Sequence, residues 1–170
     1  VDEIQTLVEG ALALARGGGA EEETATLDLA LLLEALGAEM REAGAEVVVS
    51  AAGPARLRGR PKALKRALRN VAENAVRYGG RARIALSRAA GLLRIAVEDD
   101  GPGVPEAERG RVFEPFVRLE ASRSRETGGA GLGLAIARAV VEGHGGTIAL
   151  ESAADGGARA VLLLPAEGPA

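Results

Sequence analysis

Asp99-Asp100-Gly101-Pro102-Gly103 and Gly129-Ala130-Gly131-Leu132-Gly133-Leu134 bracket an arginine-rich loop that carries the chain's two phenylalanines, Phe113 and Phe116. Ahead of the first cluster, Arg81 to Leu86 and Leu92 to Val97 alternate with period two around an Ala90-Gly91 turn, which predicts a hairpin. Its second strand runs into Asp99, so that carboxylate sits at a strand end beside Gly101 and Gly103. There it can accept a hydrogen bond from an exocyclic amine such as that of adenine, whereas guanine would present a carbonyl and be repelled. The plainer reading is an Asp-Gly turn, which is preferred for Asp100, facing the other way. Behind the second cluster a helix is expected from about Leu132 to Gly143. Gly129, Gly131 and Gly133 let bare backbone approach phosphates while the helix amides and dipole hold the charge. No Lys-Ser or Lys-Thr follows these glycines, so this is not a Walker loop, and the alternating parallel strands of a dinucleotide fold are missing.

Upstream, Arg60-Pro61 opens a helix to about Tyr78, with proline where a first turn tolerates it. Leu64, Leu68, Val71 and Ala75 form its apolar stripe, and Asn70, Asn74 and Arg77 fall together roughly 120° round from it. Asparagine is a mediocre helix former whose buried amide needs partners. Its oxygen is a good hard ligand, and Mg²⁺ takes oxygens from one or two protein groups and from substrate phosphates. Asn74 is therefore the expected metal ligand, with Asn70 one turn earlier bonding water or phosphate. A merely solvated face is the bland alternative, and the two glycine clusters weigh against it. Phe113 and Phe116 are expected to anchor the start of the loop against the core. Arg118 and Arg123, ahead of Arg125, are candidates to clamp a terminal phosphate and stabilise transferred charge. His144 lies eleven residues past Gly133, about 16 Å along a helix, and is read as a solvated or capping residue.

Around this centre the chain reads as one α+β domain, a two-layer sandwich of a single sheet with helices on one face. Residues 1–16 form an amphipathic helix, stopped by Gly17-Gly18-Gly19 and followed by a flexible acidic connection to Ala25. Thr26-Leu27 starts a strand and Asp28 caps a helix that reaches about Ala43. Val47-Val48-Val49 reads as a buried strand and Arg56-Leu57-Arg58 as a short one. Thr147 to Leu150 and Ala160 to Leu164 make a last hairpin through Asp155-Gly156-Gly157, and the tail after Pro165 is expected to be disordered. Among 170 residues, 47% are hydrophobic but only 2% aromatic, so the core is aliphatic and the three aromatics gather in the motif region. A net charge of −3 disfavours nucleic acid as a partner, and the absence of cysteine removes disulfides and thiolate chemistry. No apolar run approaches the ~20 residues of a membrane helix. This composition suits the cytoplasm, and the start at Val1 inside a helical pattern suits a piece of something longer.

With these pieces in place, the chain resembles the catalytic and ATP-binding domain of bacterial sensor histidine kinases, which have the Bergerat-type fold with a mixed, mostly antiparallel sheet. Asn70 to Tyr78 resembles the family's N box, Asp99 to Gly103 its first glycine box, Phe113-Glu114-Pro115-Phe116 its F box and Gly129 to Leu134 its second glycine box, in the family's order. The resemblance implies ATP and Mg²⁺ as ligands, with Asn74 on the metal and Asp99 on the adenine amino group. It also implies Arg77 and Tyr78 beside phosphate and ribose or base, with Phe113 to Gly133 as a mobile lid that includes Leu132. By the same resemblance residues 1–19 are the end of a helical dimerisation hairpin and a linker, 20–166 the ATP-binding domain and 167–170 a tail. The implied partners are a histidine-bearing dimerisation domain of the same protein and a response regulator, in a homodimeric parent that can be membrane-anchored.

One departure matters: the family's acceptor histidine lies upstream in a helix that these residues do not include, so autophosphorylation by this chain alone is not expected. The fold also serves ATP hydrolases, in which a glutamate one turn before the metal-binding asparagine activates water. That position here is Asn70, which has no basic carboxylate, and Glu73 is expected to point off the stripe, so phosphoryl transfer to a protein is preferred to hydrolysis. A serine kinase of the same fold and a degenerate module that signals through its shape remain as alternatives.

Overall fold

The computed structural model describes residues 2–17, 19–119 and 130–168. Helix α1 spans Asp2–Ala15, followed by strand β1 (Ala25–Asp28), α2 (Leu29–Glu42), β2 (Glu46–Ala51) and β3 (Arg56–Gly59). Then come α3 (Pro61–Gly79), β4 (Arg81–Ala89), β5 (Leu92–Glu98), two single 3-10 turns at Glu106–Glu108 and Arg111–Phe113, α4 (Gly133–Gly143), β6 (Thr147–Ser152) and β7 (Ala158–Pro165). Five strands form one mixed sheet in the order β2-β4-β5-β7-β6, with β2 parallel to β4 and the other neighbours antiparallel. Strands β1 and β3 pair separately and antiparallel.

Local chemistry starts and stops the helices. Asp28 accepts from the Ala30 amide at 2.9 Å and from Ala55 at 3.1 Å, so one carboxylate caps α2 and ties down the β2–β3 loop. Arg60 at the start of α3 offers no side-chain cap, and Pro61 removes one orphan donor. Two of the remaining amides, Lys62 and Ala63, donate to the Glu22 carboxylate at 2.8 and 2.9 Å. The acidic connection expected to be merely flexible thus supplies the cap of a helix 40 residues away.

Apolar stripes then close the helices over one face of the sheet. Leu29, Leu33, Leu36 and Met40 of α2, Leu64, Leu68 and Val71 of α3, and Val140 and Val141 of α4 meet Ile84, Leu86, Leu93, Ile95, Leu162 and Leu164. Truncating any of these leucines to alanine costs about 2–5 kcal/mol. Two expectations are corrected here. Strand β2 is an edge strand with one covered face, so Val47 is 3% exposed but Val48 is 57% exposed. The chain is still tied down just after Pro165, because the Ala166 amide donates to Gly91 and the Glu167 amide to Arg56.

Candidate functional site

A cavity of about 430 Å³ opens between α3, the start of α4 and the covered face of the sheet. Its floor follows from strand register. Val97 pairs with Ala160, and Ala160 with Leu150, so all three point to the same face, as does Asp99 two residues beyond Val97. One wall is the polar stripe of α3, with Asn70, Asn74, Arg77 and Tyr78 lining the cavity. The opposite wall is Gly131, Leu132, Gly133 and Leu134, where α4 begins, and Gly103 and Arg118 reach in from the loops. The two helices run antiparallel side by side, with the end of α4 at Arg60 and its start at Asn70.

Asp99 is 6% exposed. Its Oδ1 accepts from the Gly101 amide at 2.8 Å and the Ala158 amide at 3.1 Å, and its own amide donates to the Ala158 carbonyl at 3.0 Å. Two glycines outside the expected boxes make room for it. A Cβ on Gly79 would overlap the Asp99 side chain and lie 2.7 Å from the Asp100 nitrogen, and one on Gly157 would run into the Asp99 carbonyl. The end of α3 and the β6–β7 turn therefore press on the Asp99 backbone from two sides. Asp100 is no simple turn residue, since its carboxylate pairs with Arg81 and, at 2.5 Å, with Arg83. The Arg83 hydrogen bond, aided by Arg81, holds that carboxyl below the usual carboxylate range.

Asn70 donates its side-chain amide to the Gly133 carbonyl at 3.1 Å, so it links the two walls. Glu73 reaches the margin of the cavity rather than pointing away from it, with Arg69 3.9 Å from its carboxylate. Arg66 and Arg77 line the cavity and have no acidic partner among the described residues. Sequence patterning overlooked Arg66, although it lies one helical turn before Asn70.

The phenylalanines separate. Phe113 is buried, as an anchor should be, but Phe116 is 61% exposed and takes φ of +65°, so it does not pack on the core. Its amide donates to the Gly131 carbonyl at 3.0 Å, which fixes the backbone here while the ring turns outward. Arg123, Arg125 and Gly129 lie outside the described residues. Gly101 does not line the cavity but turns the chain beneath Asp99. His144 stands at the far end of α4. Its Nε2 accepts from the Arg60 amide at 3.0 Å, and its Nδ1 is 2.7 Å from the Val140 carbonyl, a helix-end role away from the cavity.

Residues 59–168 match the family model described as histidine kinase-, DNA gyrase B- and HSP90-like ATPases. The chain belongs to this ATPase family. The sheet order and helix layer described above are accordingly those of the Bergerat fold. Relatives include the sensor histidine kinase GtrS of Pseudomonas aeruginosa, 40% identical over 97% of this chain and 34% of its own length. Another is the sensor histidine kinase CpxA of Escherichia coli, 41% identical over 66% of this chain and 25% of its own. The chain thus spans about a third or less of these curated relatives. Among solved structures it is similar to full-length ShkA in complex with AMPPNP, with a TM-score of 0.80 and 31% identity over 99% of this chain and 37% of that one. The ATP-binding domain of PrrB from Mycobacterium tuberculosis superposes with a TM-score of 0.72 and 30% identity over 86% of this chain and all of that one.

Proposed function

We propose that this chain is the ATP-binding, phosphodonor part of a two-component sensor histidine kinase, passing the γ-phosphoryl group to a histidine on a helical hairpin and through it to a response regulator. The observation that carries this reading is the convergence of Asn70, Asn74, Asp99 and the glycine-rich start of α4 on one cavity. Asp99 offers a buried carboxylate for the adenine amino group. Gly131, Gly133 and the first amides of α4 offer a place for phosphates, and Arg66 and Arg77, which have no acidic partner among the described residues, make that wall attractive to an anion.

The donor set suits Mg²⁺. A neutral amide oxygen from Asn74 leaves most coordination positions to phosphate and water, as this ion prefers, and among the described residues no carboxylate cluster competes for it. Bound there, the ion would neutralise phosphate charge. The transfer itself leaves the chain's residues little covalent chemistry to do. Asn70 bonds the start of α4, Arg118 from the cavity lining would meet the terminal phosphate, and the acceptor imidazole attacks phosphorus as the bond to ADP breaks.

His144 is not that acceptor, because both of its ring nitrogens are engaged at a helix end remote from the cavity. The acceptor hairpin is therefore proposed to belong to the same parent protein, with α1 as the end of its second helix and the parent a homodimer. Hydrolysis is the second reading, through Glu73 at the cavity margin. That carboxylate is 3.9 Å from Arg69 on the same helix. A titration with a non-hydrolysable ATP analogue, with and without Mg²⁺, tests the site. Saturable binding that strengthens with the metal, and loses that strengthening in Asn74→Ala, is expected; equal metal dependence in the variant would remove Asn74 from the ion. Asp99→Asn is expected to weaken the preference for adenine over guanine nucleotide, and an unchanged ratio would sink its role.

A further inference from the structure

The uncovered face of the sheet carries a row of charges in register at the cavity end. Arg83 on β4 pairs across to Glu98 on β5, Glu98 to Arg159 on β7, and Arg159 to Glu151 on β6. The side chains follow the backbone, with Arg83 to Glu98 at 3.7 Å, Arg159 to Glu98 at 2.5 Å and Arg159 to Glu151 at 3.9 Å. Arg81, two residues before Arg83, reaches Glu46 on the edge strand at 3.6 Å. Asp100 enters this lattice from beyond the end of β5, where no strand partner remains, and takes both Arg81 and Arg83.

Period-two alternation makes the consequence direct. Glu98 and Asp100 face outward and Asp99 faces the cavity, so the residue that meets the outer arginines shares a peptide bond with the one that lines the cavity. Past β5 the Asp99 backbone donates one hydrogen bond, to the Ala158 carbonyl, and its Oδ1 accepts from the Gly101 and Ala158 amides, so a shift of the chain at Asp100 is passed on to the carboxylate through these same neighbours. A carboxylate that must meet a base amine within a hydrogen-bond length loses much of its effect for a displacement of about 1 Å.

We propose that Asp100 is a positioning residue: clamped by Arg81 and Arg83 on the outer face of the sheet, it fixes the aim of Asp99 and so sets the nucleobase selectivity of the cavity. This rests on the reading of Asp99 as the group that meets the adenine amine. It adds the claim that selectivity is maintained from the opposite side of the sheet, by side chains that never touch the nucleotide.

The test compares the full chain with Asp99→Asn, Asp100→Asn, the double variant Arg81→Gln/Arg83→Gln, and Glu151→Gln as a control that removes a pair from the far end of the same row. Affinities for non-hydrolysable ATP and GTP analogues are measured calorimetrically, with unfolding midpoints alongside. Asp100→Asn and the double variant are expected to lower the ATP-to-GTP affinity ratio by up to about fivefold. Glu151→Gln should leave the ratio unchanged whatever it does to the midpoint. Raising salt, which screens exposed pairs, should lower the ratio in the unaltered chain and leave it flat in Asp100→Asn. If Asp99→Asn lowers the ratio and Asp100→Asn does not, the positioning role is overturned while the adenine reading stands. If Asp99→Asn leaves the ratio intact, both fall together. A ratio that drops equally in Glu151→Gln would show a general effect of sheet stability and also overturn the proposal.

Discussion

Gly79→Ala is the substitution for which helix propensity and tertiary packing predict opposite signs. Gly79 is the last residue of α3, and alanine there should favour the helix by up to about 1 kcal/mol. Its Cβ, however, would overlap the Asp99 side chain and lie 2.7 and 2.8 Å from the Asp100 and Gly101 nitrogens. Two of those atoms are backbone, and no rotamer change relieves them. Ordinary contact requires roughly 0.5–1 Å more, so the β5 end or the last turn of α3 must move, at an overpacking cost of about 1–3 kcal/mol. Net destabilisation is therefore about 0–3 kcal/mol. The effect on binding should be larger, because the displaced atoms carry Asp99, and a shift near 1 Å at a positioned group can cost about 100-fold. Urea unfolding and calorimetric titration with a non-hydrolysable ATP analogue measure the two effects separately. A variant that is stabilised by the full helix increment and binds the analogue with undiminished affinity would refute the reasoning, since the end of α3 could not then press on the Asp99 strand end.

Two further outcomes are expected. Glu22→Ala should lower stability by about 1 kcal/mol, because it strips two amides at the start of α3 of their acceptors; an unaltered urea midpoint would show that water replaces the carboxylate at no cost. Burial holds the His144 imidazole below its ordinary value near 6.5, with Arg60 acting the same way against the Val140 carbonyl and Glu22. The unfolded imidazole then takes a proton before the folded one does, so His144 contributes stability above about pH 6.5 that is lost as pH falls toward its folded value. Glu39 and Asp100, held low chiefly by hydrogen bonds from Lys65 and Arg83, keep their charge through that window. The urea midpoint should therefore fall between pH 7.5 and 5.5, and His144→Gln should flatten the fall; equal slopes in the two proteins would exclude the histidine as its source.

Much of the architecture was legible because it is written locally. The two stripes of α3 come from a 3.6-residue period, the hairpins from alternation around turn residues, and the cap at Asp28 from a side chain beside the amide it serves. The candidate site residues were legible as types in a pattern, and the fold brings Asn70, Asn74, Arg77, Tyr78, Asp99 and the start of α4 to one cavity. What stayed hidden depends on partners distant in sequence. Glu22 looked like a linker acid because the helix it caps begins 39 residues later. Gly79 and Gly157 looked like a helix stop and a turn, and only the packed strand end explains why neither position tolerates a side chain. Asp100 looked like a turn residue because cross-strand register, which brings Arg81 and Arg83 to it, is invisible in a linear pattern. Phe116 was expected to pack like Phe113, and its left-handed backbone is set by the tie to Gly131 rather than by anything in the aromatic itself.

The two helices that wall the cavity are fastened unequally along their length. At one end Arg60 grips α4 twice, through its amide to His144 and through its guanidinium to the Gly143 carbonyl at 3.2 Å. At the other, Asn70 to Gly133 is a single neutral hydrogen bond. Between these ends the helices meet through buried Leu68, Val71, Ile136, Ala137 and Val140, so the polar ties are two at the Arg60 end and one at the mouth. Over the roughly 16 Å between them, a tilt of only about 2° carries Gly133 roughly 0.6 Å, enough to break the Asn70 bond or to seat a larger group behind it. Changes at Arg60 or His144, remote from any nucleotide, should thus be felt at the cavity as a change of gape.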